Sequence, residues 1–312
     1  MHLENLYKWE GKLDDCPNTV IEPTTKCQLH CEGCYRVNWI KKDRVMTLEE
    51  MGQYIDEVKR LRKSNYLSFL GGEPLLHPDL EGALYYAIRQ GFNVGIYTNG
   101  ILLDEDMLSR FALIGVKYIM VNNPNREYFC KMFREASAAP ALGFSFIVRT
   151  GDNMEEQALF FKDNIDVVKY INFSFLMSPY AETVVEERLR KAFGFEWGSY
   201  LGTKYDPKKP GKLLAVHNGK DWLDGKAIGD IARAYREEHG KYHYMGEGYR
   251  REWQSVVISF NPRMYDMKMN HCHPCTDSVL YKGNFVPMCT LEWEVERQAR
   301  IEKVRNGLKT SV

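Results

Sequence analysis

The chain has no excess of charge of either sign. Lys and Arg number 42, Asp and Glu number 42, and the formal net charge is zero. That balance argues against a broadly basic nucleic-acid surface. No apolar run approaches the roughly 18 residues of a membrane-spanning helix. The opening Met1-His2-Leu3-Glu4-Asn5 lacks the pattern of a signal peptide. A disulfide framework is missing too. Eight cysteines lie scattered over 312 residues with no secretory context, which fits a reducing cytoplasm where thiols stay free to hold metal. The remainder is ordinary globular composition, 44% hydrophobic and 27% charged, enough for one large domain or two modest ones.

Three of the cysteines come in one burst. Cys27, Cys31 and Cys34 form C-x3-C-x2-C within Thr25-Lys26-Cys27-Gln28-Leu29-His30-Cys31-Glu32-Gly33-Cys34-Tyr35. Thiolate is the soft ligand that iron–sulfur clusters take, and three thiolates this close can wrap one corner of a cubane. Three ligands for four irons leave one iron open to bind and reduce something. A structural zinc site would show paired cysteines and a fourth ligand at a suitable distance, and here His30 alone is nearby.

The surroundings place this burst at the end of a strand. Asn18–Glu22 reads as a strand that runs straight into the cysteine loop. Thr47-Leu48-Glu49-Glu50 is a capping box, opening a helix with Leu48, Met51, Ile55, Val58 and Leu61 on one face. Tyr66–Leu70 is a second strand, ending in Gly71-Gly72-Glu73-Pro74. Glycines there let a ligand approach the backbone, and Glu73 is a carboxylate placed to hold an ammonium group. Further strands are expected at Asn93–Thr98, Val116–Asn122, Phe144–Arg149 and Val168–Met177. Helices fit between them at Asp79–Gln90, Asp104–Leu113, Arg126–Ala138 and Met154–Asn164. Such alternation predicts an α/β fold with a parallel sheet. Six units do not close an eight-stranded barrel, so the expectation is a partial (β/α)6 TIM-like barrel with its chemistry at the carboxyl ends of the strands.

On Cys27-x3-Cys31-x2-Cys34, Gly71-Gly72-Glu73-Pro74 and Thr98-Asn99-Gly100, over roughly residues 18–177, the chain resembles the radical S-adenosylmethionine (radical SAM) enzymes. The resemblance implies a 4Fe–4S cluster on the three cysteines, with S-adenosylmethionine chelating the open iron. Gly71, Gly72, Glu73 and Pro74 would then hold its methionine end, with Thr98 and Asn99 beside them. One electron, from a flavodoxin- or ferredoxin-type donor, would cleave the sulfonium to methionine and a 5′-deoxyadenosyl radical. Many members have an aromatic residue just before the third cysteine; this chain has Gly33 there and Tyr35 just after.

Other strand ends supply further candidates, each with an ordinary alternative. Arg149 matches the carboxylate of S-adenosylmethionine or is a surface arginine. Asn122 and Asn123 face the site or start the turn at Pro124. Met177 packs adenine or fills core. Cys16 is a stray ligand candidate, and Cys130, on an amphipathic helix, reads as a small core residue.

The second half differs. Residues 181–193 look helical, and a Gly-, Lys-, Trp- and Tyr-rich stretch follows, with Lys204, Lys208, Lys209 and Lys212. A further helix is expected at Ala227–His239. Residues 181–255 read as an insertion that forms a substrate lid, its lysines either meeting an anion or lying in a solvated loop. Then come Cys272, Cys275 and Cys289 in C-x2-C-x13-C, with a hairpin turn expected at Tyr281–Phe285. The spacing resembles the C-terminal cluster motif of the molybdenum-cofactor GTP cyclases and the twitch/SPASM auxiliary domains. It implies a second 4Fe–4S cluster. The competing site is Cys3His zinc, with His271 or His273 as fourth ligand. A terminal Gly-Gly, present in the cyclases, is absent here.

The expected organisation is thus an extension at 1–17, the partial barrel at 18–180, the insertion at 181–255 and an auxiliary-cluster region at 256–312. The expected activity is hydrogen abstraction from a substrate held between the barrel mouth and the second cluster. Twenty-six residues precede Cys27, too few for a peptide-recognition domain there, which favours a small molecule. A peptide- or protein-modifying maturase is the alternative. From another class stands a non-catalytic iron–sulfur or zinc scaffold that carries electrons, against which the Gly-Gly-Glu-Pro segment speaks.

Overall fold

A computed structural model describes residues 18–31, 34, 36, 44–62, 65–148, 153–176, 198–199, 211–217, 254–261 and 277–288, with a few single positions between 220 and 230. Strands and helices alternate as the sequence predicts. β1 (Asn18–Ile21), β2 (Tyr66–Phe69), β3 (Asn93–Thr98), β4 (Tyr118–Val121), β5 (Ala141–Val148) and β6 (Val168–Leu176) are separated by α1 (Leu48–Leu61), α2 (Leu80–Arg89), α3 (Glu105–Ile114), α4 (Arg126–Glu135) and α5 (Met154–Asp163). Consecutive strands pair in parallel from β1 to β6.

Local chemistry sets the element ends. Thr47 and Glu50 form the reciprocal capping box, with Glu50 N donating to Thr47 Oγ1 at 3.1 Å and Thr47 N to Glu50 Oε2 at 2.7 Å. Asp104 caps α3 by accepting from Met107 N at 2.7 Å. α4 stops at Glu135, short of the expected Ala138, and its cap Ala136 is already extended. Pro140 disfavours helix in the residue before it, and β5 begins at Ala141 rather than Phe144. In α1, Met51, Ile55 and Val58 are buried as expected, whereas Leu48, at the first helical position, is 44% exposed.

The sheet is larger than six strands. Its order is β11-β10-β1-β2-β3-β4-β5-β6-β9-β8-β7, with open edges at β11 and β7, so among the described residues it does not close. β9 (Gln254–Asn261) adds in parallel to β6, and β8 (Gly211–His217) and β7 (Gly198–Ser199) follow antiparallel. β8 corrects the expectation of an irregular stretch there; Leu213-Leu214-Ala215-Val216 is an apolar run that suits a strand. The helices expected at 181–193 and, for the most part, 227–239 lie outside the described residues, as do Lys204, Lys208 and Lys209.

At the other edge, β10 (Asp277–Tyr281) pairs in parallel with β1, and β11 (Asn284–Pro287) returns beside it. The two-residue turn is the predicted one. Lys282 and Gly283 have φ of 48° and 75°, as a hairpin turn with left-handed central residues requires. Side chains of α1 and of its C-cap residue fasten this hairpin. Tyr54 donates to Val20 O at 2.6 Å and accepts from Leu280 N at 2.8 Å. The Arg62 guanidinium donates to Ser278 Oγ and Asn18 O and lies over the Phe285 ring.

Alternation along each strand gives the sheet two unlike faces. Leu67, Phe69, Val94, Ile96, Ile119 and Val121 join the helices in the main core. Their neighbours on the other face include Asn18, Ser68 and Tyr118, joined through Ser68 Oγ at 3.0 Å to Asn18 Oδ1 and 2.6 Å to Tyr118 OH. Farther along that face, Asn172 Nδ2 donates to Ser145 Oγ and Ser174 Oγ at 3.3 and 3.1 Å.

Candidate active site

The parallel strands end along one edge, and pairing continues past them. Leu70 N donates to Ile21 O at 3.0 Å, Gly72 N to Thr24 O at 2.9 Å and Glu73 N to Lys26 O at 2.7 Å. At its two middle positions this run tolerates no side chain. A Cβ on Gly72 would fall 2.1 Å from Lys26 O, and one on Gly71, whose φ is +124°, 2.8 Å from Thr24 O. The sequence suggests that these glycines admit a ligand. Here the close approach is made by the chain's own path into Cys27.

The base of the cysteine loop is tied on its far side as well. Thr25 N donates to Arg44 O at 2.9 Å and Met46 N to Pro23 O at 2.8 Å, around a Thr24–Val45 bridge. Inside the loop, Arg36 and Glu22 form a buried two-pronged ion pair. Arg36 Nε donates to Glu22 Oε1 at 2.8 Å and Arg36 Nη2 pairs with Oε2. A fork-to-fork pair away from water holds two segments in one geometry. Sequence reasoning missed both residues: an acid at a strand end and an arginine past a cysteine carry no pattern of their own.

Of the three cysteines, Cys27 and Cys34 are half-buried and Cys31 is exposed. Backbone N–H groups point at two of the sulfurs, Leu29 N at Cys27 Sγ (3.4 Å) and Arg36 N at Cys34 Sγ (3.3 Å). Cys34 N donates to Cys31 O at 3.2 Å, which keeps the second and third cysteines in one turn. Among the described residues, no three His, Cys, Asp or Glu side chains gather around one point fit for a single metal ion. A cubane asks for something else, since each thiolate takes its own iron. Three cysteines on one short loop, two of them with a backbone N–H aimed at the sulfur, meet that demand. Burial pushes the Cys27 thiol above its ordinary range, and the Glu73 carboxylate and Cys31 add to the shift. Metal coordination is what would hold such a sulfur as thiolate.

Glu73 is buried, 1% exposed. Its Oε1 accepts from Leu75 N at 3.0 Å and Thr98 Oγ1 at 2.8 Å, and its Oε2 accepts from Asn99 N at 2.8 Å. Desolvation raises its carboxyl above the usual range, and those three donors pull it back. The carboxylate therefore joins the ends of β2 and β3. Asn123 Nδ2 donates to Asn99 O at 2.8 Å, and Asn122 N to Thr98 O at 2.9 Å, which brings in the end of β4.

Of the residues the sequence nominates, the structure brings Cys27, Gly71, Gly72, Glu73, Thr98 and Asn99 together. Pro74 is buried at the start of a short 3-10 turn, Pro74–Leu76. The Asn122 side chain is exposed. Cys130 packs in the main core, where burial raises its thiol to about 11. Tyr35, Arg149, Met177, Cys16, Cys272, Cys275 and Cys289 lie outside the described residues.

The family model described as Radical SAM superfamily matches residues 21–174. Among curated relatives, the tungsten-containing aldehyde ferredoxin oxidoreductase cofactor-modifying protein of Pyrococcus furiosus is 31% identical over 100 residues, 32% of this chain and 28% of that protein. Fe-coproporphyrin III synthase of Methanosarcina barkeri is 32% identical over 110 residues, 35% of this chain and 27% of the synthase. The chain thus spans less than a third of either relative's length. Among solved structures, SuiB of Streptococcus suis bound to S-adenosylmethionine aligns with 80% of this chain and 51% of SuiB, at 15% identity and a TM-score of 0.45.

Proposed function

Because this chain belongs to the radical SAM superfamily, we propose that it is an enzyme whose Cys27, Cys31 and Cys34 hold a 4Fe–4S cluster and whose strand ends bind S-adenosylmethionine. When bound, the cluster would supply the electron that cleaves the sulfonium, and the resulting 5′-deoxyadenosyl radical would take hydrogen from a substrate. The observation that carries this reading is the loop of three cysteines whose base is locked to the Gly71-Gly72-Glu73 run. The chain's own contribution is geometry: the ladder from Leu70 to Glu73 and the Glu22–Arg36 pair fix where the sulfurs stand. Positioning and exclusion of water are what a protein adds to cofactor chemistry of this kind.

A small polar molecule is the substrate class we favour. The sheet face away from the helices carries Ser145, Asn172 and Ser174, hydroxyls and an amide suited to hydrogen-bonding a polar ligand. One curated relative is named for modifying a cofactor and another for making Fe-coproporphyrin III, while a third is named as a PqqA peptide cyclase, so a peptide-modifying maturase stands as the second reading. Cys272, Cys275 and Cys289 are proposed to hold a second 4Fe–4S cluster. The hairpin of β10 and β11 occupies most of the interval between Cys275 and Cys289, so the 13-residue spacing is what a returning chain needs. A cytoplasmic location and a flavodoxin- or ferredoxin-type donor belong to the same proposal. Among the described residues, no helix is long and apolar enough to cross a membrane.

The test is anaerobic reconstitution followed by metal analysis and dithionite-driven turnover of S-adenosylmethionine. The expected result is about eight irons per chain and 5′-deoxyadenosine formation that Cys31→Ala abolishes with the fold intact. Wild-type product from Cys31→Ala would sink the proposal. About four irons plus one zinc would overturn the second cluster alone.

A further inference from the structure

Asn99, directly after β3, has every polar atom engaged. Its backbone N–H donates to Glu73 Oε2 at 2.8 Å, and its carbonyl accepts from Asn123 Nδ2 at 2.8 Å. Its side-chain Oδ1 accepts from Ile101 N at 2.9 Å and from Gln28 Nε2 at 3.4 Å. The first two fix the backbone and the two on Oδ1 orient the carboxamide, with the remaining group, Nδ2, directed at Cys27 Sγ across 3.9 Å. The loops after β2 and β4 thus hold the Asn99 backbone, the loop after β1 meets its side chain, and the result is an N–H aimed at a sulfur. Leu29 N serves the same sulfur, but a backbone donor comes with the loop itself. The Asn99 amide is the donor that side-chain chemistry adds.

We infer that Asn99 is a positioning residue that tunes the proposed cluster: its carboxamide donates to the Cys27 thiolate and makes the cluster easier to reduce. The inference rests on the cluster reading given above. Reduction adds negative charge that is shared with the sulfur ligands. A donor aimed at a sulfur stabilises the reduced form more than the oxidised form, and hydrogen bonds to the sulfurs are among the factors that set such potentials. Glu73 acts one step back, because its carboxylate fixes the Asn99 backbone.

Two variants separate tuning from scaffolding. Asn99→Ser keeps an oxygen for Ile101 N but is too short to reach Cys27. Asn99→Asp keeps the oxygen at full length and replaces the donor by a charge. The readout is an anaerobic redox titration followed by electron paramagnetic resonance, at the signal that S-adenosylmethionine perturbs, with iron content measured in parallel. Both variants are expected to hold wild-type iron. The reduction equilibrium should fall about threefold to tenfold in Asn99→Ser, up to ~59 mV for a one-electron couple, and further in Asn99→Asp. A wild-type potential in Asn99→Ser overturns the inference and leaves the cluster reading standing. Iron lost from Asn99→Ser but kept by Asn99→Asp also overturns it, and makes Asn99 a loop scaffold. Wild-type protein that binds no iron defeats the cluster reading and takes this inference with it.

Discussion

On the helix side of the sheet, Phe144, Phe146, Phe161 and Phe173 pack ring to ring, with centroids 5.5 to 6.1 Å apart. On the other side, and along the carboxyl edge, the sheet carries Asn18, Ser68, Tyr118, Asn172 and the Glu73–Thr98–Asn99 group, joined by hydrogen bonds that each have a direction. The first region is held by area removed from water, which accepts many shapes of similar volume. The second is held by donors and acceptors that lose their worth when a partner moves. Stability and chemistry are thereby assigned to different residues of one strand, one position apart.

The comparison is tested most severely by deleting a ring on the helix side. Phe161→Ala should cost ~3–5 kcal/mol of stability, as for other buried phenylalanines, yet leave iron content and S-adenosylmethionine affinity per folded molecule unchanged. Urea titration against iron analysis decides it, and site losses in proportion to stability would break the division. Next in size is the site side. Glu22→Gln removes the charged partner of Arg36, and ~1.5–3 kcal/mol is the usual worth of a hydrogen bond to a charged group. Here the iron content should fall while circular dichroism keeps the fold. Unchanged iron would show that the pair serves packing alone.

Smallest is Asp166→Asn, between α5 and β6 at the edge away from the site. Asp166 accepts from Arg134 Nε at 2.7 Å and Nη2 at 3.0 Å. The Arg134 hydrogen bonds hold its carboxyl below the ordinary carboxylate range. The folded value therefore lies beneath the unfolded one, near ~3.9. The contribution is complete above that unfolded value and is lost as pH falls through the folded one. Both side chains are half exposed, so the effect is ~0.2–1 kcal/mol. The gap between wild type and variant should close as urea titrations move from pH 7 to below pH 4, with no change at the site.

How legible each region was follows from its physics. Apolar periodicity exposes the helix side: Met51, Ile55 and Val58 lie where the 3.6-residue repeat puts them. The chemical edge was legible where a residue type is rare, as with three clustered cysteines or a Gly-Gly pair. It was not legible in detail, because hydrogen bonds between loops depend on pairings across long stretches of sequence. Glu73 looked like a free carboxylate for an ammonium group, while the structure gives it Leu75, Thr98 and Asn99 as donors. Glu22, Arg36, Tyr54 and Arg62 gave no signal, since each acts through a partner that the local pattern does not name. β9 and β10 were missed as partners of β6 and β1 for the same reason.

The hairpin of β10 and β11 also has a consequence in time. Its strands cover the outer edge of β1, although they are the last made of the described strands, at residues 277–287 against 18–21. A ribosome adding ~5–20 residues per second needs roughly 10–40 seconds to pass from the end of β2 to the end of β11. For that interval the strand leading into the cysteine loop carries a row of unpaired backbone groups, a template for pairing with another chain. Tyr54 on α1 and Arg62 at its C-cap, made long before, are the clasps on which the late hairpin closes.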